Sequence, residues 1–258
     1  LLSVSGPSAA FGQGSAPAFE ASDVSAWSFA HGETFNYSVA IGRFKLGEAR
    51  LAVHDLEIID GLEVVKTSLV VAGGPPFFRI EIDLSSWIDT AHFRSVRFER
   101  RVREGPKRDR DRYSMDTASG TFTAERWSED LETYEPRSEG GGRMPEDAID
   151  EIAFLYLVRT LPLVQGEEIR FDRYFKLASN PIVVRILGRE EIRVPAGRFQ
   201  TLVVEPILPG VGVFHAKRKP RVWVTDDERR IIVKVQTSAA VGPVALNLTD
   251  YEEGAPGP

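Results

Sequence analysis

Two carboxylates on one predicted strand are the first candidates for chemistry in this sequence. Glu81 and Asp83 in "RIEID" share a strand face, and Asp89 follows shortly after. A pair of carboxyl groups can carry out acid–base chemistry where a cleft raises the pKa of one of them. Glu81 and Asp83 lie opposite the apolar residues of their strand, so we expect them to face water. A carboxylate-dependent hydrolase is therefore the less favoured reading, and the sequence predicts no catalytic residue.

Residue types that bind metals are present but poorly arranged. The acidic run Asp226–Glu228 suits a hairpin turn, and the spaced acids and glycine of an EF-hand loop are missing. The histidines lack the close spacing of a zinc site. They are His31, His54, His92 and His215. We expect neither a metal site nor a cofactor.

Composition narrows the function classes further. The chain has 258 residues, 42% of them hydrophobic, a formal net charge of −6 and no cysteine. The acidic balance disfavours nucleic acid as a partner. No stretch reaches the ~18 apolar residues of a membrane span. Nucleophile-elbow and phosphate-loop motifs are absent from the sequence.

Aromatic residues at alternating positions are the more informative candidates. Strands of alternating polarity with frequent turn signals predict a mainly β fold, in which a single curved antiparallel sheet forms a half-open barrel with one α-helix packed on it. Its aromatics would either fill a closed core or line a concave apolar cavity, and the sequence leaves both open. The predicted lining residues are Phe35, Tyr37, Phe78, Phe98, Tyr156 and Trp223.

The residue pattern of one segment predicts an α-helix. In "PEDAIDEIAFLYLVRTLP", Pro145 suits the first turn, Arg159 the last turn, and Pro162 ends the pattern. Its apolar stripe is wide, so the helix must lie against the sheet, either completing the core or closing the mouth of the barrel as a lid. Two polar stretches, "GPKRDRDR" and "SEDLETYEPRSEGGGRM", are predicted to be a hairpin loop and a mobile loop.

The N-terminal stretch is rich in small residues. "LLSVSGPSAAFGQGSAPAFEAS" is typical of the end of a secretory signal peptide running into a linker, although an ordinary disordered terminus would look similar. We expect a flexible remnant and linker over residues 1–26, a β domain over 27–253 and a tail over 254–258. We expect a periplasmic or otherwise extracytoplasmic location.

The order and spacing of several stretches resemble the DUF3108 family of exported bacterial proteins, from about Trp27 to Glu253. These stretches include "GETFNYSVAIGRFKLGEARLAV", "IAFLYLVRTLPLVQGEEIRF" and "VPAGRFQTLVVEP". The family is named for its unknown function, so the resemblance supplies no catalytic residues. It implies export and an open, strongly curved sheet similar to the half-barrels of bacterial lipoprotein carriers.

Three function hypotheses follow. The first is a non-enzymatic extracytoplasmic β-protein that binds a lipid or another apolar or amphipathic ligand, or that handles envelope components. The second is a structural or protein-interaction module with a protein partner in the cell envelope, using the outer sheet face and the edge strands. The hydrolase is the third.

Overall fold

A single antiparallel sheet dominates the chain. The structure is a computed structural model that describes residues 30–75, 77–209, 216–239 and 242–255. Fourteen strands in these ranges hydrogen-bond into one sheet that does not close on itself. The predicted fold class, a curved antiparallel sheet with one α-helix packed on it, is confirmed. The predicted signal-peptide remnant lies outside the described residues.

Among the described residues, eight strands precede the helix and six follow it. The first arm contains β1 Thr34–Ile41, β2 Phe44–Ile59, β3 Leu62–Gly73, β4 Ile80–Asp89, β5 Arg94–Glu104, β6 Lys107–Asp116, β7 Thr121–Ser128 and β8 Thr133–Arg143. The helix α1 is Glu151–Thr160. The second arm contains β9 Glu168–Phe171, β10 Ile182–Val194, β11 Gly197–Ile207, β12 Arg221–Thr225, β13 Ile232–Ala239 and β14 Gly242–Glu252. Short 3-10 turns lie at Leu177–Ser179 and Ala216–Arg218.

The strand order places the first strand, β1, next to the last strand, β14. From β8 the sheet runs back to β1, then through β14 to β9. The pairing of β1 with β14 therefore joins the two arms in the middle of the sheet. β8 and β9 are the two edges, and the segment that links them along the chain contains α1.

The core lies on the concave face. One cluster of buried side chains takes residues from both arms and from the helix, including Phe35 and Phe98 of the first arm and Val204 of the second. Strands that are far apart in the sheet order can share one cluster only if the sheet curls around it. The helix therefore lies within the curl.

The helix begins later than the sequence predicts. The carboxylate of Asp150 accepts hydrogen bonds from the backbone N–H groups of Ile152 and Ala153, which makes Asp150 the N-cap. Placing Pro145 in the first helical turn was wrong, whereas Arg159 does lie in the last turn. Every residue from Ile152 to Arg159 is buried, as expected of a helix surrounded by protein.

Two segments predicted to be loops are strands. "KRDRDR" belongs to β6, where its charges pair across the sheet, and "EPRSEGGGR" belongs to the edge strand β8. Proline and glycine are tolerated at an edge or a bulge, and the β7–β8 register shifts there. At Gly141 a Cβ would lie 2.2 Å from the carbonyl oxygen of Phe122, so only glycine fits.

Candidate functional site

A strip of half-buried aliphatic side chains on the concave face is the candidate site, and we call it the concave trough. Cross-strand pairing places Leu69 opposite Leu84, and Leu246 opposite Val39. All of its residues pack against the core cluster but keep part of their surface exposed. They are Val39, Leu69, Val71, Leu84, Val235 and Leu246.

The trough lies beside the helix rather than under it. Ser86 of β4 donates a 2.6 Å hydrogen bond to Asp150 at the start of α1. Leu84 lies two residues before Ser86, on the same face of β4. At the other end of α1, the guanidinium of Arg159 donates to both carboxylate oxygens of Glu33, at 2.6 and 2.9 Å. The helix thus fills one end of the curl, and the trough continues from it toward the other end.

A group of basic side chains borders the trough. On the concave face Leu84 pairs with Arg100, Arg100 with Asp111, and Asp111 with Arg126. The Nε of Arg126 donates to Asp111 at 2.9 Å, Arg137 does so at 3.4 Å, and Arg100 lies at 3.7 Å. We call Arg100, Arg126 and Arg137 the arginine cluster. One buried carboxylate therefore holds three guanidinium groups together.

Two tyrosines connect this cluster to the helix. The hydroxyl of Tyr113 accepts hydrogen bonds from Arg137 at 3.1 Å and from Lys176 at 3.3 Å. The hydroxyl of Tyr174 donates to Oε1 of Glu151 at 2.9 Å. Oε2 of Glu151 is buried and has no hydrogen-bond partner among the described residues. The polar border thus continues up to the first turn of α1.

Burial sets the electrostatics at the start of the helix. Desolvation raises the pKa of Asp150, against the hydrogen bond from Ser86 and those from the helix backbone. Desolvation also raises the pKa of Glu151, and the neighbouring charge of Asp150 adds to the effect. Burial within the curl is therefore the main cause of the raised pKa of both carboxyl groups.

Four of the predicted lining residues lie together in the core. Phe35, Tyr37, Phe98 and Tyr156 are each at most 3% exposed. The hydroxyl of Tyr37 donates to the backbone carbonyl of Ile232 at 2.9 Å. The half-buried aliphatics of the trough pack against the same core cluster. Their contact with a ligand stays a prediction.

The other two predicted lining residues lie elsewhere. Phe78 is 44% exposed on the loop between β3 and β4, where it lines a cleft of about 580 Å³ with Gly105. Trp223 points to the convex face, and its Nε1 donates to Glu190 at 2.9 Å. The ammonium of Lys234 lies 4.5 Å from the centre of its ring. The structure brings neither residue to the trough.

The candidate carboxylates are engaged in ion pairs. Glu81 and Asp83 each lie next to an arginine, on the face opposite the core. Asp89 is buried and accepts a 2.9 Å hydrogen bond from Arg94. Burial alone would raise the pKa of Asp89, but hydrogen bonds from Ala91, His92 and Arg94 lower it overall. A catalytic acid needs the opposite shift.

The structure also shows a serine–histidine contact that sequence reasoning missed. Nε2 of His54 lies 2.7 Å from the hydroxyl of Ser68, in a cleft of about 510 Å³ that Arg50 also lines. Burial lowers the pKa of His54, and Lys66 and Arg50 add to this. Ser68 is the hydrogen-bond partner of His54 among the described residues, so no acid orients the ring as in a catalytic triad. The two residues lie on different strands, so their spacing in the sequence gives no signal.

Within the described ranges, no group of three or more metal-ligating side chains is close enough to hold an ion. The helices of these ranges also lack the length and apolar character of a membrane span.

Solved structures show a related fold. A β-barrel-like protein of the DUF1849 family from Brucella abortus matches with a TM-score of 0.53 and 8% identity, over 87% of this chain and 98% of that one. A Bacteroides fragilis protein with a YmcC-like fold, described as a candidate exported protein, matches with a TM-score of 0.30 and 12% identity, over 88% and 100%. A candidate lipoprotein from Parabacteroides distasonis matches with a TM-score of 0.31 and 10% identity, over 88% of this chain and 99% of that one. Only the first likeness bears on the fold, and none bears on function.

No curated protein matches this chain. The model of the family described as a protein of unknown function, DUF3108, matches residues 36–249. Since this match covers well over half of the chain, the protein belongs to the DUF3108 family.

Proposed function

We propose that this protein is a non-enzymatic extracytoplasmic β-protein that binds an apolar or amphipathic ligand in the concave trough. The observation that carries the proposal is the partial exposure of aliphatic side chains on the concave face, next to a filled core. Contiguous exposed apolar surface in a concavity is typical of binding sites. The extracytoplasmic location rests on the signal-like N-terminal sequence.

The core packing defines where such a ligand would lie. Tyr156 and Phe154 are fully buried, so the helix completes the core and leaves no room for a ligand beneath it. A ligand would instead lie on the aliphatic strip to which β13, β14, β1, β3 and β4 contribute. The predicted aromatic residues of the core would then act indirectly, because the aliphatic strip packs against their cluster.

Titration with an apolar fluorescent dye tests ligand binding. Val71 lies on the trough, whereas its neighbour Val70 is 44% exposed on the opposite face. Val71→Gln is expected to weaken dye binding, because it places an amide where the ligand would contact carbon. Val70→Gln is the matched control and is expected to leave binding unchanged. Equal affinities for the two variants would contradict the trough as the site.

Native mass spectrometry tests the proposal without a chosen probe. Protein purified from its own host under gentle conditions is expected to carry a lipid-sized adduct, and Val71→Gln is expected to reduce it. Cell fractionation tests the location separately. Recovery of the full-length chain only from the cytosol would remove the extracytoplasmic part of the proposal.

A second candidate function, a protein-interaction module, is favoured by a different surface. Phe77 is fully exposed on the β3–β4 loop, and Phe44 of the β1–β2 hairpin is 62% exposed. Phe77 also has φ 69°, a conformation that non-glycine residues seldom adopt. A photo-crosslinking residue at position 77, used in host cells, would give protein adducts if this surface binds a partner. Its absence from adducts would leave the trough as the functional surface.

A further inference from the structure

We propose that the arginine cluster binds the anionic head group of the ligand, which makes that ligand an amphiphile with a carboxylate or phosphate head and an aliphatic tail. This inference rests on the proposed function, because it assigns the second half of the same site. It adds a chemical class of ligand and the residues that would recognise its charge.

The arginine cluster lies directly beside the aliphatic strip. Cross-strand pairing puts Arg100 directly opposite Leu84 on the concave face, so the aliphatic strip and the basic group meet without an intervening strand. Tyr113, two residues from Asp111 on β6, belongs to the core cluster and also contacts Arg137. The arginine cluster therefore faces the interior of the curl and not the convex surface.

The positive charge of the arginine cluster is not fully balanced by carboxylates on the same face. Three guanidinium groups share the carboxylate of Asp111. Of the other carboxylates on this face, Asp109 lies 3.0 Å from Lys107 and 4.0 Å from Arg126, and Glu135 is the cross-strand neighbour of Arg126. Because Lys107 matches Asp109, the three guanidinium groups face two carboxylates, Asp111 and Glu135, and carry an excess of one positive charge in a chain with a net charge of −6. Like charges repel, so such a group is favourable only if an anion or solvent offsets it.

The arginine cluster also has more N–H donors than Asp111 can accept. Each guanidinium carries five N–H groups, and Asp111 can engage only a few of the fifteen. The side chains of Arg100, Arg126 and Arg137 are 38%, 48% and 29% exposed, so the cluster is accessible to a ligand. Planar guanidinium groups bind carboxylate and phosphate through paired hydrogen bonds.

The dimensions of the sheet fit such a ligand. Five strand intervals separate β5 from β14 in the sheet order, about 24 Å at the usual strand spacing of about 4.8 Å. An acyl tail spans about half of the ~30 Å hydrocarbon thickness of a bilayer, or about 15 Å. A head group at Arg100 therefore allows the tail to lie along the trough toward β1.

The experiment compares a charged probe with its uncharged form. Cis-parinaric acid and its methyl ester have the same fluorescent tail, and both are titrated into the full chain below the concentration at which they aggregate. The acid is expected to bind about tenfold more tightly than the ester, since charge-assisted hydrogen bonds are made only by the acid. Added salt is expected to reduce that preference.

Variants assign the preference to residues. Arg100→Gln is expected to reduce the preference for the acid by about threefold to tenfold and to leave ester binding unchanged. Arg100 has the longest contact with Asp111, so this change is the least disruptive; Arg126→Gln is the second test, and thermal melts check its folding. Arg101→Gln is the matched control, because Arg101 is the next residue but lies on the convex face, paired with Glu99.

The outcomes separate the two proposals. Saturable binding of the ester with no preference for the acid would overturn the head-group assignment and leave the trough intact. Binding of neither probe by the wild-type chain would overturn the proposed function itself. Displacement of the bound acid by lysophosphatidic acid would extend the head group to phosphate, whereas displacement only by fatty acids would restrict it to carboxylate.

Discussion

Replacing Arg159 by methionine should destabilise this protein more than almost any other single change of a charged residue. The side chain of Arg159 is 1% exposed and binds Glu33, itself 10% exposed, through two hydrogen bonds. It also donates to the backbone carbonyls of Arg229 and Arg230, at 3.1 and 3.0 Å. One side chain thus ties the end of α1 to the segment before β1 and to the β12–β13 turn.

The magnitude follows from what the substitution leaves behind. Methionine keeps most of the apolar stem but removes every donor, so a buried carboxylate and two carbonyls lose their partner. Breaking one side of a buried ion pair usually costs about 3–5 kcal/mol, mainly because the remaining charge is uncompensated. Since whole proteins are stable by only about 5–15 kcal/mol, this loss should be plain in any unfolding curve.

Urea unfolding of a double-mutant cycle measures the effect. We expect Arg159→Met and Glu33→Leu together to cost less than the sum of the single changes, because the double variant buries no lone charge. Arg198→Ala serves as the control, since its ion pair with Glu191 joins side chains that are 64% and 47% exposed. A loss below about 1 kcal/mol for Arg159→Met would refute the view that this pair locks the helix in place.

Three further outcomes test the packing and the electrostatics. Tyr37→Phe should cost about 1 kcal/mol through its lost hydrogen bond, while Tyr37→Asp should cost several; equal melting temperatures would contradict the buried strand face. Tyr156→Ala should lower stability by about 3–5 kcal/mol without increasing dye uptake, whereas a small loss with increased uptake would mean that the helix is a mobile lid. Asp89→Asn should destabilise the protein at neutral pH; because the folded pKa of Asp89 lies below its usual 3.8, the difference from wild type should disappear only as the pH falls through that lower pKa. An undiminished difference at pH 2 in urea titrations would exclude that cause.

Local patterns account for the fold class but not for the charged strands. Alternation identified strands such as β1, because a half-buried strand carries its signal in its own residues. The first half of β6 was predicted as a loop because its arginines and aspartates are stabilised by partners on β5 and β7, which no local pattern reveals. The helical character of α1 was predictable from the spacing of its apolar residues. Its first residue was not, because the N-cap Asp150 is held by hydrogen bonds with Ser86 and Ser95, which lie on strands distant in the sequence.

The candidate site was only partly predictable for the same reason. Aromatic residues stand out in a sequence, and Phe35, Tyr37, Phe98 and Tyr156 do lie together on the concave side. The trough itself consists of ordinary valines and leucines, whose partial exposure depends on how much of the curl the helix fills. The arginine cluster depends on the register of β5, β6 and β7, which a single sequence does not specify.

The pairing of β1 with β14 has a consequence for how the chain acquires its structure. Thr34 of β1 is paired with Glu252 of β14, so the ladder that joins the two arms connects residues that are very far apart in the sequence. Each arm can form its hairpins from neighbouring segments, but the central ladder must wait until β14 is available. Closing so large a loop is entropically costly and slows folding. Until then β1 has an unpaired edge with Tyr37 and Val39 beside it, a surface prone to wrong strand pairing. Folding is therefore expected to end at the middle of the sheet, and a chaperone that covers β1 would have the greatest effect on the yield.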